Sequence, residues 1–155
     1  MILDVMMGAA LEAVSDAREV ALHRPTRGAH AGAVREAATP PPKWAGFARC
    51  VLRRESGAVL GNRQSREDAR NGSSSAQGRW QFLSAWQHGG SFMVRDRLVQ
   101  FGMPKAQARE VRKHLGQRPI YKWDGWWQDV LFNEVVERGG WTHWTGGGGC
   151  DRLVP

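Results

Sequence analysis

Glu55 stands four residues after Val51 and eight after Phe47, so a continuous helix carries its carboxylate on the apolar side, at the C-terminal end. Burial there and the negative end of the helix dipole both penalise ionisation. A carboxyl group kept protonated near neutral pH is what general-acid cleavage of a glycosidic bond requires, because the departing sugar oxygen must receive a proton. The competing reading is a surface glutamate paired with Arg53, Arg54 or another neighbour. A glycosidase that uses a nucleophile or an activated water needs a second carboxylate. Asp68, thirteen residues on, is the first candidate and Glu67 the next, although both stand among Arg63, Arg66 and Arg70 and can equally be solvated loop residues.

The segment after this loop has residues suited to a sugar. Gly78 lets backbone approach a ligand closely, Gln81 offers both a donor and an acceptor to an acetamido group, and Trp80 or Trp86 can stack on a pyranose face. Core packing is the bland alternative for the aromatic residues; Phe82 is assigned to the core and Gln81 to the cleft. Other chemistries have less behind them. His23, His30, His88, His114 and His143 are scattered without metal-ligand spacing, and neither Cys-x-x-Cys nor His-Glu-x-x-His occurs. Ser73–Ser75 form no nucleophile elbow, and Gly146–Gly149 precede no helical pattern. Neither a metal nor a cofactor is expected.

These side chains need elements to hold them. Trp44, Phe47, Ala48, Val51 and Leu52 follow the i, i+3, i+4, i+7, i+8 spacing of a core-facing helix that stops at Gly57. Trp80, Phe82, Leu83 and Trp86 predict a second helix ended by Gly89-Gly90, and Ser91 caps a third with Val94, Leu98 and Phe101. Pro104 opens a fourth with Val111 and Leu115 inside and Gly116 past its end. Asp124 caps a last helix with Trp127, Val130, Leu131 and Val135, closed by Gly139-Gly140. Residues 56–78 read as a long loop with room for a short hairpin.

The 155-residue chain is long enough for one enzyme-sized core. Residues 1–23 carry an amphipathic helical pattern, and residues 24–43, with Pro25, Gly28, Gly32 and the triplet Pro40-Pro41-Pro42, favour an extended linker. The division falls at Lys43: residues 1–43 form the helix and linker, and 44–155, with all eight tryptophans, the packed domain. Basic side chains number 22 against 15 acidic ones, and residues 1–43 hold five of each, so the excess of +7 belongs to 44–155. A basic domain seeks an acidic partner: nucleic acid, an anionic membrane face or an anionic wall. The arginines are spread over every element rather than grouped on one recognition helix, which argues against nucleic acid. No run approaches the length of a transmembrane helix, and residues 1–22 lack the basic-then-apolar order of a signal peptide.

The run Arg54-Glu55-Ser56-Gly57, the later Ser75-Ala76-Gln77-Gly78-Arg79-Trp80-Gln81-Phe82 and the late Gly140-Trp141-Thr142-His143-Trp144 occur in an informative order. Together they resemble the transglycosylase-like and resuscitation-promoting-factor-like domains of actinobacteria and their phages, within the lysozyme and lytic transglycosylase superfamily. The resemblance covers roughly residues 44–150. It implies a mainly α, lysozyme-like helical domain with an active-site cleft, in which Glu55 is the catalytic acid and Ser75 and Gln81 line the sugar site. Its implied substrate is the peptidoglycan glycan strand, cut at the β-1,4 bond between N-acetylmuramic acid and N-acetylglucosamine. It also permits a mechanism with one carboxylate, lytic transglycosylation, beside a hydrolytic muramidase using Glu55 and Asp68. In similar domains a cysteine pair placed like Cys50 and Cys150 ties the first helix to the C-terminal segment; a buried thiol at Cys50 and a loose one at Cys150 is the alternative. Such a bond suits an extracytoplasmic place of action, and a phage product carried in the virion or released at lysis reaches it without a signal peptide. A third class is a non-catalytic phage tail or structural protein that docks on virion partners through residues 1–43. Residues 102–126 depart from the family pattern.

Overall fold

Trp127, Val130, Leu131, Phe132, Val135 and Val136 are all buried, and so are Gln128, Asp129, Asn133 and Glu134 between them, which leaves helix α5 (Gly125–Glu137) covered on nearly every side. A helix buried so fully must be wrapped by other elements, and the rest of the chain supplies the wrapping. The computed structural model describes residues 30–63, 65–146 and 149–155. The helix expected over residues 1–23 lies outside them. The described part is mainly helical, with α1 (Ala31–Ala38), α2 (Ala45–Glu55), α3 (Trp86–Gln100), α4 (Lys105–Gly116) and α5. Two short strands, β1 (Ala76–Gln77) and β2 (Phe82–Leu83), pair antiparallel, Ala76 opposite Leu83 and Gln77 opposite Phe82. Single 3-10 turns occur at Pro42–Trp44, Ile120–Lys122, Gly140–Trp144 and Asp151–Leu153.

α2, α4 and α5 follow the sequence pattern. Asp124 caps α5 by accepting a hydrogen bond from the Trp126 amide at 3.0 Å, which satisfies one of the orphan donors of its first turn. Pro104 directly precedes α4. α3 and α4, joined through Gly102 at φ +95°, form a helical hairpin with the most extensive contact in the fold, and α3 also packs on α5.

Three expectations are corrected. The linker reading fails at residues 31–38, which form α1 with Val34, Ala37 and Ala38 buried against α5 and α3. One of its last carbonyls is capped from a distance: Ala37 O accepts from Arg97 Nε at 2.9 Å and Asn133 Nδ2 at 3.0 Å. Complete burial of Val34 contributes about 2 kcal/mol more. The helix expected to contain Trp80, Phe82 and Leu83 is instead a hairpin whose residues alternate inward and outward, Phe82 buried and Leu83 exposed. Gly89-Gly90 do not end a helix, and Ser91 does not begin one; α3 runs through all three. Gly90 packs so closely on α5 that a Cβ there would come within 2.9 Å of Leu131, and buried Ser91 satisfies its hydroxyl by donating to His88 O at 2.7 Å.

Candidate active site

Glu55 is the last residue of α2, and its side chain is 25% exposed. Arg54 donates to its Oε1 from Nε at 2.9 Å and from a terminal nitrogen at 2.6 Å. The same guanidinium also donates to the Trp144 carbonyl. The dry slot expected around Glu55 is therefore replaced by an ion pair on a partly open rim, the pairing foreseen as the alternative reading.

The neighbouring serine joins this helix end to the hairpin. Ser56 Oγ donates to Arg79 O at 2.6 Å and accepts from the Ala58 amide at 3.2 Å, while Gly57 leaves α2 at φ +73°. Trp144 Nε1 donates to Trp80 O at 2.9 Å. Hydrogen bonds thus connect the end of α2, the turn 78–81 and the 3-10 turn Gly140–Trp144, three segments separated by as many as 90 residues. Aromatic packing closes the same junction, Phe82 lying 5.3 Å from Trp144 and 5.9 Å from Trp86 between ring centroids. His143 sits edge-on to Trp86 at 5.5 Å. Both are half-buried. Burial holds the His143 imidazole below its usual range, and the Glu55 carboxylate pulls it the opposite way, so the two are within electrostatic reach.

Beneath the hairpin lies an ionic cluster. Arg79 is fully buried, its terminal nitrogens donating to Asn62 O at 2.7 Å and Val59 O at 3.0 Å. Its Nε lies 3.1 Å from Asp129 Oδ1, which also accepts from Trp80 Nε1 at 2.9 Å. Arg63 approaches the other oxygen at 3.4 Å and stacks over the Trp126 ring. Burial dominates the Asp129 carboxyl and pushes it up to about 6, against the opposing pull of Arg79 and the Trp80 hydrogen bond. The Arg79 guanidinium is lowered by the same burial.

The structure brings some of the expected site residues together and separates others. Gln81 is half-buried in the turn at φ +53°; its amide donates to Gly78 O at 2.8 Å, and its amide oxygen has no protein donor among the described residues. Trp86 borders the same junction. Trp80 lends it only a backbone carbonyl: the ring is 1% exposed and stacks on Phe132 at 3.6 Å, so no sugar can reach its face. Ser75 is exposed at the hairpin's entrance. Asp68 is exposed on the loop, and no hydrogen bond or ion pair joins it to Glu55 among the described residues. Glu67 accepts from the Gly125 amide at 2.8 Å, clasping the loop to the start of α5; burial raises its carboxyl and this hydrogen bond lowers it. Arg54 has the pairing role of the alternative reading, whereas Ser56, His143 and the Arg79–Asp129 pair had no individual role assigned in the sequence. A cue existed for the pair, since Asp129 stands beside Val130 and Leu131 on a helix rich in apolar residues, and a carboxylate buried there needs an internal partner.

Cys50 and Cys150 are bonded, with Cα atoms 5.7 Å apart, which ties α2 to the C-terminal segment. Among the described residues no three His, Cys, Asp or Glu side chains gather as a metal site, and no helix is long and apolar enough to cross a membrane. No family model matches the chain, and neither a curated protein nor a solved structure matches it.

Proposed function

We propose that the chain cleaves the β-1,4 bond between N-acetylmuramic acid and N-acetylglucosamine in peptidoglycan, as a lytic transglycosylase with a lysozyme-like cleft. The reading rests on the convergence of Arg54–Gly57, the Gly78–Gln81 turn and Gly140–Trp144 around one partly open carboxylate. Protonated Glu55 gives its proton to the glycosidic oxygen as the bond from muramoyl C1 breaks. The resulting carboxylate, steadied by Arg54, takes the proton from the muramoyl C6 hydroxyl, whose oxygen bonds to C1. A 1,6-anhydro ring forms, no water is consumed and Glu55 ends protonated. Gln81 has an acceptor for an acetamido N–H, and the half-buried Trp86 and His143 rings suit an apolar sugar face.

One carboxylate suffices for this route, in keeping with an exposed Asp68 and a Glu67 engaged at α5. Digestion of purified glycan strands, read by mass spectrometry, tests it: fragments should end in 1,6-anhydromuramic acid, Glu55→Gln should release none, and Asp68→Asn should lose less than tenfold. Reducing-end muramic acid with a large Asp68→Asn defect would make the chain a hydrolytic muramidase. The Glu55–Arg54 ion pair itself favours a second reading, a wall-associated or virion structural protein, and strands left intact by the native chain would select it.

A further inference from the structure

A cavity of about 400 Å³ opens between α3 and α4, lined by Arg95, Asp96, Val99, Lys105 and Arg109. None of its lining residues belongs to the Glu55 junction. Residues 86–116, which make up this hairpin, carry six Lys or Arg against two Asp or Glu, so the cavity sits where much of the chain's positive excess is concentrated. Arg95 is occupied by Asp96 at 2.7 Å. Lys105 and Arg109 are exposed and have no acidic partner among the described residues. They lie one turn apart on α4, about 6 Å along its axis, and Arg112 continues the same face with its guanidinium over Phe92.

A row of cations at turn spacing fits a ligand with repeated negative charges, and the cavity's other walls narrow the class. Val99 and the aliphatic stems of Lys105 and Arg109 offer an apolar surface, while Asp96 accepts hydrogen bonds from hydroxyl groups and repels bare phosphate. No aromatic ring lines the cavity for a base to stack on, and the nearby Phe92 is already covered by Arg95 and Arg112. We infer that the α3–α4 groove is a binding site for a phosphodiester-linked polyol polymer without nucleobases, with Lys105 and Arg109 on successive phosphates and Asp96 on the hydroxyls between them. The groove would hold the chain on an anionic polymer independently of what Glu55 does.

The test uses the full chain, isotopically labelled, titrated with a glycerol phosphate hexamer and, in parallel, with a DNA hexamer of equal charge. Amide shifts should cluster on 92–112 with the polyol phosphate, and the DNA should bind at least tenfold more weakly. Lys105→Glu with Arg109→Glu, both exposed positions, should weaken the hexamer at least tenfold without altering the rest of the spectrum. Asp96→Asn should weaken the polyol hexamer and leave or strengthen the DNA. Equal or tighter binding of DNA, shifts lying elsewhere, or an unaffected charge-reversed variant would each overturn the inference. The readout is binding alone, so an inactive Glu55 would not disturb it.

Discussion

At the scale of single residues, three carboxylates meet three different environments. Glu55 shares a partly exposed ion pair with its own neighbour, an arrangement contributing about 0–1 kcal/mol. Glu55→Gln should therefore shift the melting temperature little while stopping strand cleavage, and calorimetry beside the digestion assay separates the two effects. Glu67 serves the start of a helix. Asp129 is almost fully buried, with a carboxyl raised from 3.8 to about 6. Between those values the folded protein keeps a proton that the unfolded chain has lost, so this group's stabilising contribution is complete at low pH and disappears as pH rises through about 6. The difference in unfolding free energy between the native chain and Asp129→Asn should consequently grow in favour of the native chain as pH falls from 7 to 4. The gain is at most about 3 kcal/mol, from 1.36 kcal/mol per pH unit. Urea unfolding at several pH values measures it, and a difference independent of pH would mean that Asp129 stays ionised throughout.

At the scale of elements, legibility followed the range of the forces. α2, α4 and α5 were readable because their own periodicity and caps specify them. α1 was hidden by Gly32 and the proline triplet, and its stabilising partners Arg97 and Asn133 lie 60 and 96 residues away. Trp80, Phe82 and Trp86 satisfy a period of two at one step and of four at the next, so spacing alone does not separate strand from helix. Tertiary contact separates them: Gly78 adopts φ +76°, and a Cβ there would lie 2.2 Å from Gln128 Oε1, the atom that accepts the Arg79 amide. The same long-range packing removes Trp80 from the surface, whereas the position of Glu55 at the end of its helix follows from local pattern. Gly78→Ala should lower stability by roughly 2–4 kcal/mol through strain and displacement of Gln128. Gly72→Ala, with open space and no unusual φ, should change it by under about 0.5 kcal/mol. Parallel denaturant titrations would show whether the hairpin depends on that turn.

At the scale of the whole molecule, one covalent bond closes a loop of 100 residues around the helical core. The chain-entropy relation gives such a closure about 4–5 kcal/mol. Melting in the presence of a strong reductant should fall accordingly, and intact mass after alkylation should show no labelled thiol before reduction and two after it. The sulfur atoms also bracket the candidate site. Cys50 precedes Glu55 by little more than one helical turn, and Cys150 follows Trp144 by six residues, so the bond clamps both strands of chain that Arg54 bridges. Reduction removes that clamp and leaves the two segments to the Arg54–Trp144 and Trp144–Trp80 hydrogen bonds and to the packing of Trp144 on Phe82 and Phe132. On the proposed function, strand cleavage should therefore respond to the state of this bond, the reduced chain digesting glycan strands more slowly than the oxidised one.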